Sequence, residues 1–144
     1  MNFHRCVVFI GVREEFARQT APYRTELLAY CYRMLGTVHD AEDLLQETML
    51  RAWRGFPGFR GQASLRTWLY RIATNACLNA LERRDRRPQP AGLELEEPSA
   101  WVEPFPDRLD PAAVVIERDS MRLAMVAALQ YLAPRQRAVL LLRD

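Results

Sequence analysis

Apolar residues in this chain recur at every third or fourth position and nowhere alternate regularly with polar ones. Leu27, Tyr30, Cys31, Met34 and Leu35, with Tyr23 one turn earlier, share a helix face. Ala41, Leu44, Leu45, Thr48, Ala52 and Trp53 share a second face, and Leu65, Trp68, Leu69, Ile72, Ala76 and Ala80 a third. A 3.6-residue period without a two-residue one leaves helix packed on helix, an all-α fold. The spacing predicts helices over residues 14–35, 41–55, 65–84, 112–132 and 134–144. Pro22 either kinks the first or marks where its main part begins, with Thr20 as a cap, and Gly36 ends it. Asp40 is the expected N-cap of the second, with Glu42 and Asp43 in a first turn where the helix dipole favours anions. Residues 56–63 read as a loop from their Pro and Gly content, and Ser64 as the cap of the third helix. The polar face of that helix carries Arg66, Thr67, Arg71, Thr74, Asn75 and Asn79, flanked by Tyr70 and Leu78.

The pattern dissolves between Asp85 and Pro111. Six prolines and the acidic run at Glu94, Glu96 and Glu97 predict a mostly extended linker, within which Trp101 and Phe105 need a place to dock. The last helix stops just as its apolar face begins, at Val139-Leu140-Leu141-Leu142, which is the expectation for a truncated protein.

Composition narrows the class. At 144 residues, 49% hydrophobic and 26% charged, the chain is ordinary for a globular protein. No apolar run reaches the roughly 18–20 residues of a membrane span, and the Cys6–Gly11 stretch is too short for a signal-peptide core. Three separated cysteines, Cys6, Cys31 and Cys77, fit a reducing compartment, so the chain reads as cytoplasmic with no membrane role. Cys31 and Cys77 lie in apolar patterns and are expected to be buried. With only His4 and His39 to add, no four-ligand zinc site can be written, and no metal or cofactor is expected.

The net charge of +2 conceals segregation, and every basic residue is arginine. Residues 36–50 carry four acids and no arginine, residues 51–87 nine arginines against two acids, and residues 88–119 eight acids against two arginines. A basic block between two acidic ones suits a nucleic-acid surface, and arginine suits phosphate forks and base stacking. The absence of lysine itself is better explained by GC-rich coding.

Enzyme chemistry is missing: there is no glycine-rich phosphate loop, no GxSxG, no HExxH and no supported Cys–His pair. The Asp40, Glu42, Asp43 and Glu47 cluster is open to three readings: metal ligands, a solvated face, or a docking surface for a basic partner.

Asp40-Ala41-Glu42-Asp43-Leu44-Leu45-Gln46-Glu47-Thr48, then Arg51-Ala52-Trp53, Phe59-Arg60-Gly61 and Thr67-Trp68-Leu69-Tyr70-Arg71-Ile72-Ala73-Thr74-Asn75 resemble region 2 of bacterial sigma-70-family factors, nearest to the extracytoplasmic-function (ECF) group. Leu132-Ala133-Pro134-Arg135-Gln136-Arg137-Ala138-Val139-Leu140 resembles the opening of region 4. The resemblance implies a three-helix region 2 over residues 1–87, an acidic Pro-rich linker over 88–111, and the incomplete beginning of region 4 over 112–144. It implies that the second helix docks on the coiled-coil of the polymerase β′ subunit through Asp43, Gln46, Glu47 and Leu50, where an acidic segment suits an Arg-rich partner. It assigns Phe59, Arg60, Gln62, Ser64 and Asn75 to the separated non-template strand of the promoter −10 element, with Arg66, Tyr70 and Arg71 nearby. Arg83 and Arg84, in the Arg83–Arg87 run, read as a phosphate clamp or as the charge complement of a helix C-terminus, two roles that are compatible. Tyr70 stands equally as core edge or DNA contact, whereas Trp53 and Trp68 are expected in the core. The linker either threads the RNA-exit path of the polymerase or merely spaces two domains.

The function so implied is that of a sigma factor, or its N-terminal piece. It binds core RNA polymerase and directs −10 recognition and melting for transcription initiation, with no catalysis of its own. An anti-sigma factor is a further partner, and no −35 recognition is expected because the recognition helix of region 4 is absent. The alternative is a helical interaction module that docks on polymerase or a regulator without opening promoters.

Overall fold

The computed structural model describes residues 3–86 and 116–143. Six helices account for nearly all of them: α1 (Phe3–Thr20), α2 (Arg24–Leu35), α3 (Val38–Gly55), α4 (Leu65–Asp85), α5 (Ile116–Gln130) and α6 (Pro134–Arg143). No strand occurs among the described residues, as the apolar period requires. The 88–111 linker, Arg87 and the expected start of the fourth helix at residues 112–115 lie outside the described residues.

Two expected boundaries move, each for a local reason. The single helix over 14–35 is two helices, because Pro22 cannot donate a backbone hydrogen bond and the chain passes through a 3-10 turn at Ala21–Tyr23. The region that the resemblance implies to be three-helical therefore holds four. Thr20 is not a cap: its buried hydroxyl donates back to the Phe16 carbonyl at 2.8 Å. Likewise the N-cap of α3 lies three residues before the expected Asp40. Thr37, extended at φ −124°, is the N-cap; its hydroxyl accepts from the Asp40 N–H at 3.4 Å and donates to the Asp40 carboxylate at 2.7 Å. Asp40 thus occupies the third helical position, completing a variant of the capping box.

The core lies where α2, α3 and α4 meet. Leu27, Cys31, Met34, Ala41, Ala52, Leu69, Ala73 and Cys77 are fully enclosed there. Both cysteines are free and buried, as their apolar context predicts. On α4 the buried seam is Leu69, Ala73, Ala76, Cys77 and Leu81. Trp68 and Ile72, placed in the expected stripe, are half-buried instead, so the seam is rotated away from the predicted one. Three of the five residues in the observed seam, Ala73, Ala76 and Cys77, are small, and of these the expected stripe held only Ala76.

Gly36 ends α2 at φ +86°, its N–H bonded to the Tyr32 carbonyl at 2.7 Å. The other free carbonyls at this helix end are met from elsewhere in the chain. Gln130 Nε2 reaches the Arg33 carbonyl at 3.1 Å, Arg137 reaches that of Met34, and Arg84 Nη1 that of Leu35 at 3.4 Å. Through these contacts α5 and α6 seat on the end of α2.

Candidate functional site

Two exposed faces carry the residues singled out by sequence. On α3 the buried side is Ala41, Leu45, Thr48, Met49 and Ala52. Opposite it, Asp43, Gln46, Glu47 and Leu50 follow one another at helical spacing, so one face presents all four. Leu50 is 56% exposed, an apolar side chain standing in water among acids. Glu47 pairs with Arg51 one turn on, and Asp43 lies 3.6 Å from His39 one turn back.

The second face begins in the connection between α3 and α4. Gly55 lets the chain turn against Trp68, since a Cβ there would sit 3.2 Å from its ring. After the 3-10 turn Phe56–Gly58, Phe59 packs on the Trp68 indole with centroids 5.0 Å apart. Arg60 and Gln62 are exposed, flanking Gly61 at φ +68°. Ser64 caps α4, accepting the Thr67 N–H at 3.1 Å, so its hydroxyl has a structural duty at the position assigned to DNA.

Along α4, Arg66, Tyr70, Arg71 and Asn75 border a cleft of 440 Å³ whose far wall is Leu141 and Leu142 of α6. Its floor is aromatic. Tyr70 meets Tyr30 edge to face at 5.2 Å, and the Tyr30 hydroxyl bonds that of Thr74 at 2.8 Å. Burial pushes the Tyr30 phenol up to about 12; burial and then the Glu26 carboxylate raise that of Tyr70. Arg66 lies over the Tyr70 ring, its Cζ 4.7 Å from the centroid, and is gripped by Glu26 through Nε at 3.0 Å and Nη2 at 3.2 Å. That carboxylate raises the guanidinium above the usual arginine range.

The structure gathers Arg66, Tyr70, Arg71 and Asn75 but leaves Arg83 and Arg84 toward the far end of the same helix, roughly 25 Å beyond Arg66 and roughly 12 Å beyond Asn75 at 1.5 Å per residue. Arg83 and Arg84 are both exposed; Arg84 lies 3.7 Å from Asp40 and bonds the Leu35 carbonyl at the C-terminus of α2. Thr74, read as part of the solvated face, is half-buried and also bonds the Tyr70 carbonyl at 2.7 Å. Sequence reasoning did not find Tyr30 and Arg33 as parts of this cleft, nor Glu26 as the partner of Arg66. Glu26 is 40 residues from Arg66, and no local pattern marks the pairing. Among the described residues no group of three or more His, Cys, Asp or Glu is placed to hold a metal ion, and no helix is long and apolar enough to cross a membrane.

A family model of sigma-70 region 2 matches residues 21–87, the stretch from the Pro22 turn to the end of α4. The chain is 59% identical over 147 aligned residues to the ECF RNA polymerase sigma factor SigG of Mycobacterium tuberculosis, covering 92% of this chain and 40% of that protein. It is 39% identical over 74 residues to the ECF RNA polymerase sigma factor SigW of Bacillus subtilis, covering 51% of this chain and 40% of the relative. It is 29% identical over 136 residues to the RNA polymerase sigma-H factor of Pseudomonas aeruginosa, covering 93% and 70%. The chain belongs to the sigma-70 family of RNA polymerase sigma factors, within its ECF group. It spans two fifths of the length of the SigG and SigW relatives.

Proposed function

We propose that this chain binds core RNA polymerase through the outer face of α3 and engages the separated non-template strand of a promoter −10 element through the 59–64 loop and α4. It thereby directs promoter recognition and melting in transcription initiation. The observation that carries this reading is the separation of chemistries: an acidic face with an exposed leucine on α3, and an arginine–aromatic cleft on α4. Acid around an apolar anchor suits an Arg-rich helical partner, the β′ coiled-coil. A cationic, aromatic-floored cleft favours an unstacked base over a paired one, which converts binding into strand opening. Bond making belongs to the polymerase, and this chain acts as a non-enzymatic initiation factor in the cytoplasm where that polymerase works. Residues 1–87 form region 2, 88–111 a connector and 112–144 the first part of region 4, with an anti-sigma factor as a further partner.

Binding to purified core polymerase tests the reading. Glu47→Arg should weaken it tenfold or more, about 1.4 kcal/mol. Equal binding by the variant would remove the α3 face from the proposal. One observation favours the second reading, docking without promoter opening: Leu141 and Leu142 stand at the cleft. Arg60→Ala and Asn75→Ala decide between the two, since a promoter reader loses single-stranded −10 binding and a docking module does not.

A further inference from the structure

Arg66 is the most constrained cation of the cleft. A guanidinium offers donors along its edges and two flat faces. The edge formed by Nε and Nη2, the fork that grips a phosphate or carboxylate in two parallel bonds, is already taken by Glu26 at 3.0 and 3.2 Å. One face is taken by Tyr70, with Cζ 4.7 Å from the ring centroid. Tyr70 is in turn fixed by Tyr30 at 5.2 Å and by the Thr74 hydroxyl on its carbonyl at 2.7 Å. Tyr70 also meets the Arg66 side chain through a hydrogen bond, so what remains open is the guanidinium face turned away from Tyr70. Arg33 and Arg71 line the same cleft and form no ion pair among the described residues, so their forks stay available.

We infer that Glu26 is a positioning residue for nucleic-acid recognition: by occupying the fork of Arg66 and holding its plane on Tyr70, it makes Arg66 a stacking surface for an unpaired base and leaves phosphate contact to Arg33 and Arg71. The inference rests on the proposed nucleic-acid role of the cleft and specifies how that cleft divides base from backbone. Its physical consequence is a trade between two kinds of binding. Stacking on a planar cation depends on the base and little on salt, whereas a free fork takes a phosphate and releases a counterion.

The test uses the full chain and two fluorescein-labelled probes with equal numbers of phosphates: a mixed-sequence single-stranded DNA and its abasic counterpart. Binding is followed by anisotropy across a salt series. Wild type should hold the base-bearing strand at least fivefold tighter than the abasic one. Glu26→Gln should lose most of that preference, and its log K against log salt should steepen by about 0.7, one added phosphate contact on single-stranded DNA. The pair is exposed, with side chains 57% and 34% accessible, so the variant folds. Thermal unfolding of Glu26→Gln and Glu26→Ala supplies the control, because a merely structural tie between α2 and α4 would lower Tm and leave slope and preference unmoved. Wild-type preference with an unaltered Glu26→Gln slope and preference overturns the inference alone. No binding of either probe by wild type overturns the nucleic-acid role of the cleft and the inference with it.

Discussion

Tyr30 shows how one side chain ties the core to the candidate site. It is 2% exposed, its ring supports Tyr70 from below, and its hydroxyl is bonded only to Thr74 among the contacts described. Burial raises its phenol from 10 to about 12, and the bond to Thr74 offsets part of that rise. The folded state therefore holds the proton more tightly than the unfolded chain. The resulting stabilisation is complete below pH 10 and is lost as pH rises toward 12, roughly 2–3 kcal/mol across the window. Urea denaturation of wild type and Tyr30→Phe between pH 9 and 12 should show the steeper fall in wild type; parallel curves would refute it. The burial of Tyr30 was legible from its place in the 27–35 stripe, but the partner 44 residues away was not. Phe59 is a similar case: the loop was legible from Pro57, Gly58 and Gly61, while its packing on Trp68 follows only from the path of the folded chain.

Helix ends were read from capping chemistry, which held for Ser64 and Gly36 and failed for Thr20 and Asp40. Ser64 precedes α4 without a rival, and it is the cap. Before α3, Thr37 and Asp40 compete, and the one that also frees the other to fill the third position wins. Ser64 separates stability from recognition experimentally. Ser64→Ala should cost about 1 kcal/mol by losing the bond to the Thr67 N–H, whereas Ser64→Asp should keep the cap. If the residue also lies against the DNA backbone, Ser64→Asp should weaken single-stranded binding through charge repulsion at unchanged stability. Urea denaturation and anisotropy on the same two variants read the two effects apart. Equal stability of all three proteins would show that the cap contributes nothing.

Across the molecule, Arg137 is the residue that joins the C-terminal pair to the rest. It is 4% exposed, and burial, with Arg84 nearby, pulls its guanidinium below the usual arginine range. It donates to the Met34 carbonyl of α2, to those of Leu129 and Gln130 at the end of α5 at 2.8 and 3.1 Å, and to that of Leu132 at 3.1 Å. The Met34, Leu129 and Gln130 carbonyls end helices and carry the negative end of the helix dipole, while that of Leu132 lies in the turn after α5, so one buried cation satisfies two helix ends. Arg137→Ala should destabilise the chain by about 2–3 kcal/mol and increase hydrogen exchange through α6 and the last turn of α2. Unchanged exchange at α2 would mean that the C-terminal pair seats without it.

The linear order of residues was enough to settle the all-α class, the ends of α4, the burial of both core cysteines and the shared outer face of Asp43, Gln46, Glu47 and Leu50, and it marked Pro22 as a point of irregularity without deciding that the helix breaks there. All of these depend on interactions within a few residues, where helical period, backbone chemistry and charge act locally. It did not settle the rotation of α4, the pairing of Glu26 with Arg66, the bond of Arg84 to the Leu35 carbonyl, or the seat of Arg137 on α2. Those depend on which carbonyls and side chains arrive at one place from positions 40 to 103 residues apart. Such meetings are chosen by close packing of the whole core.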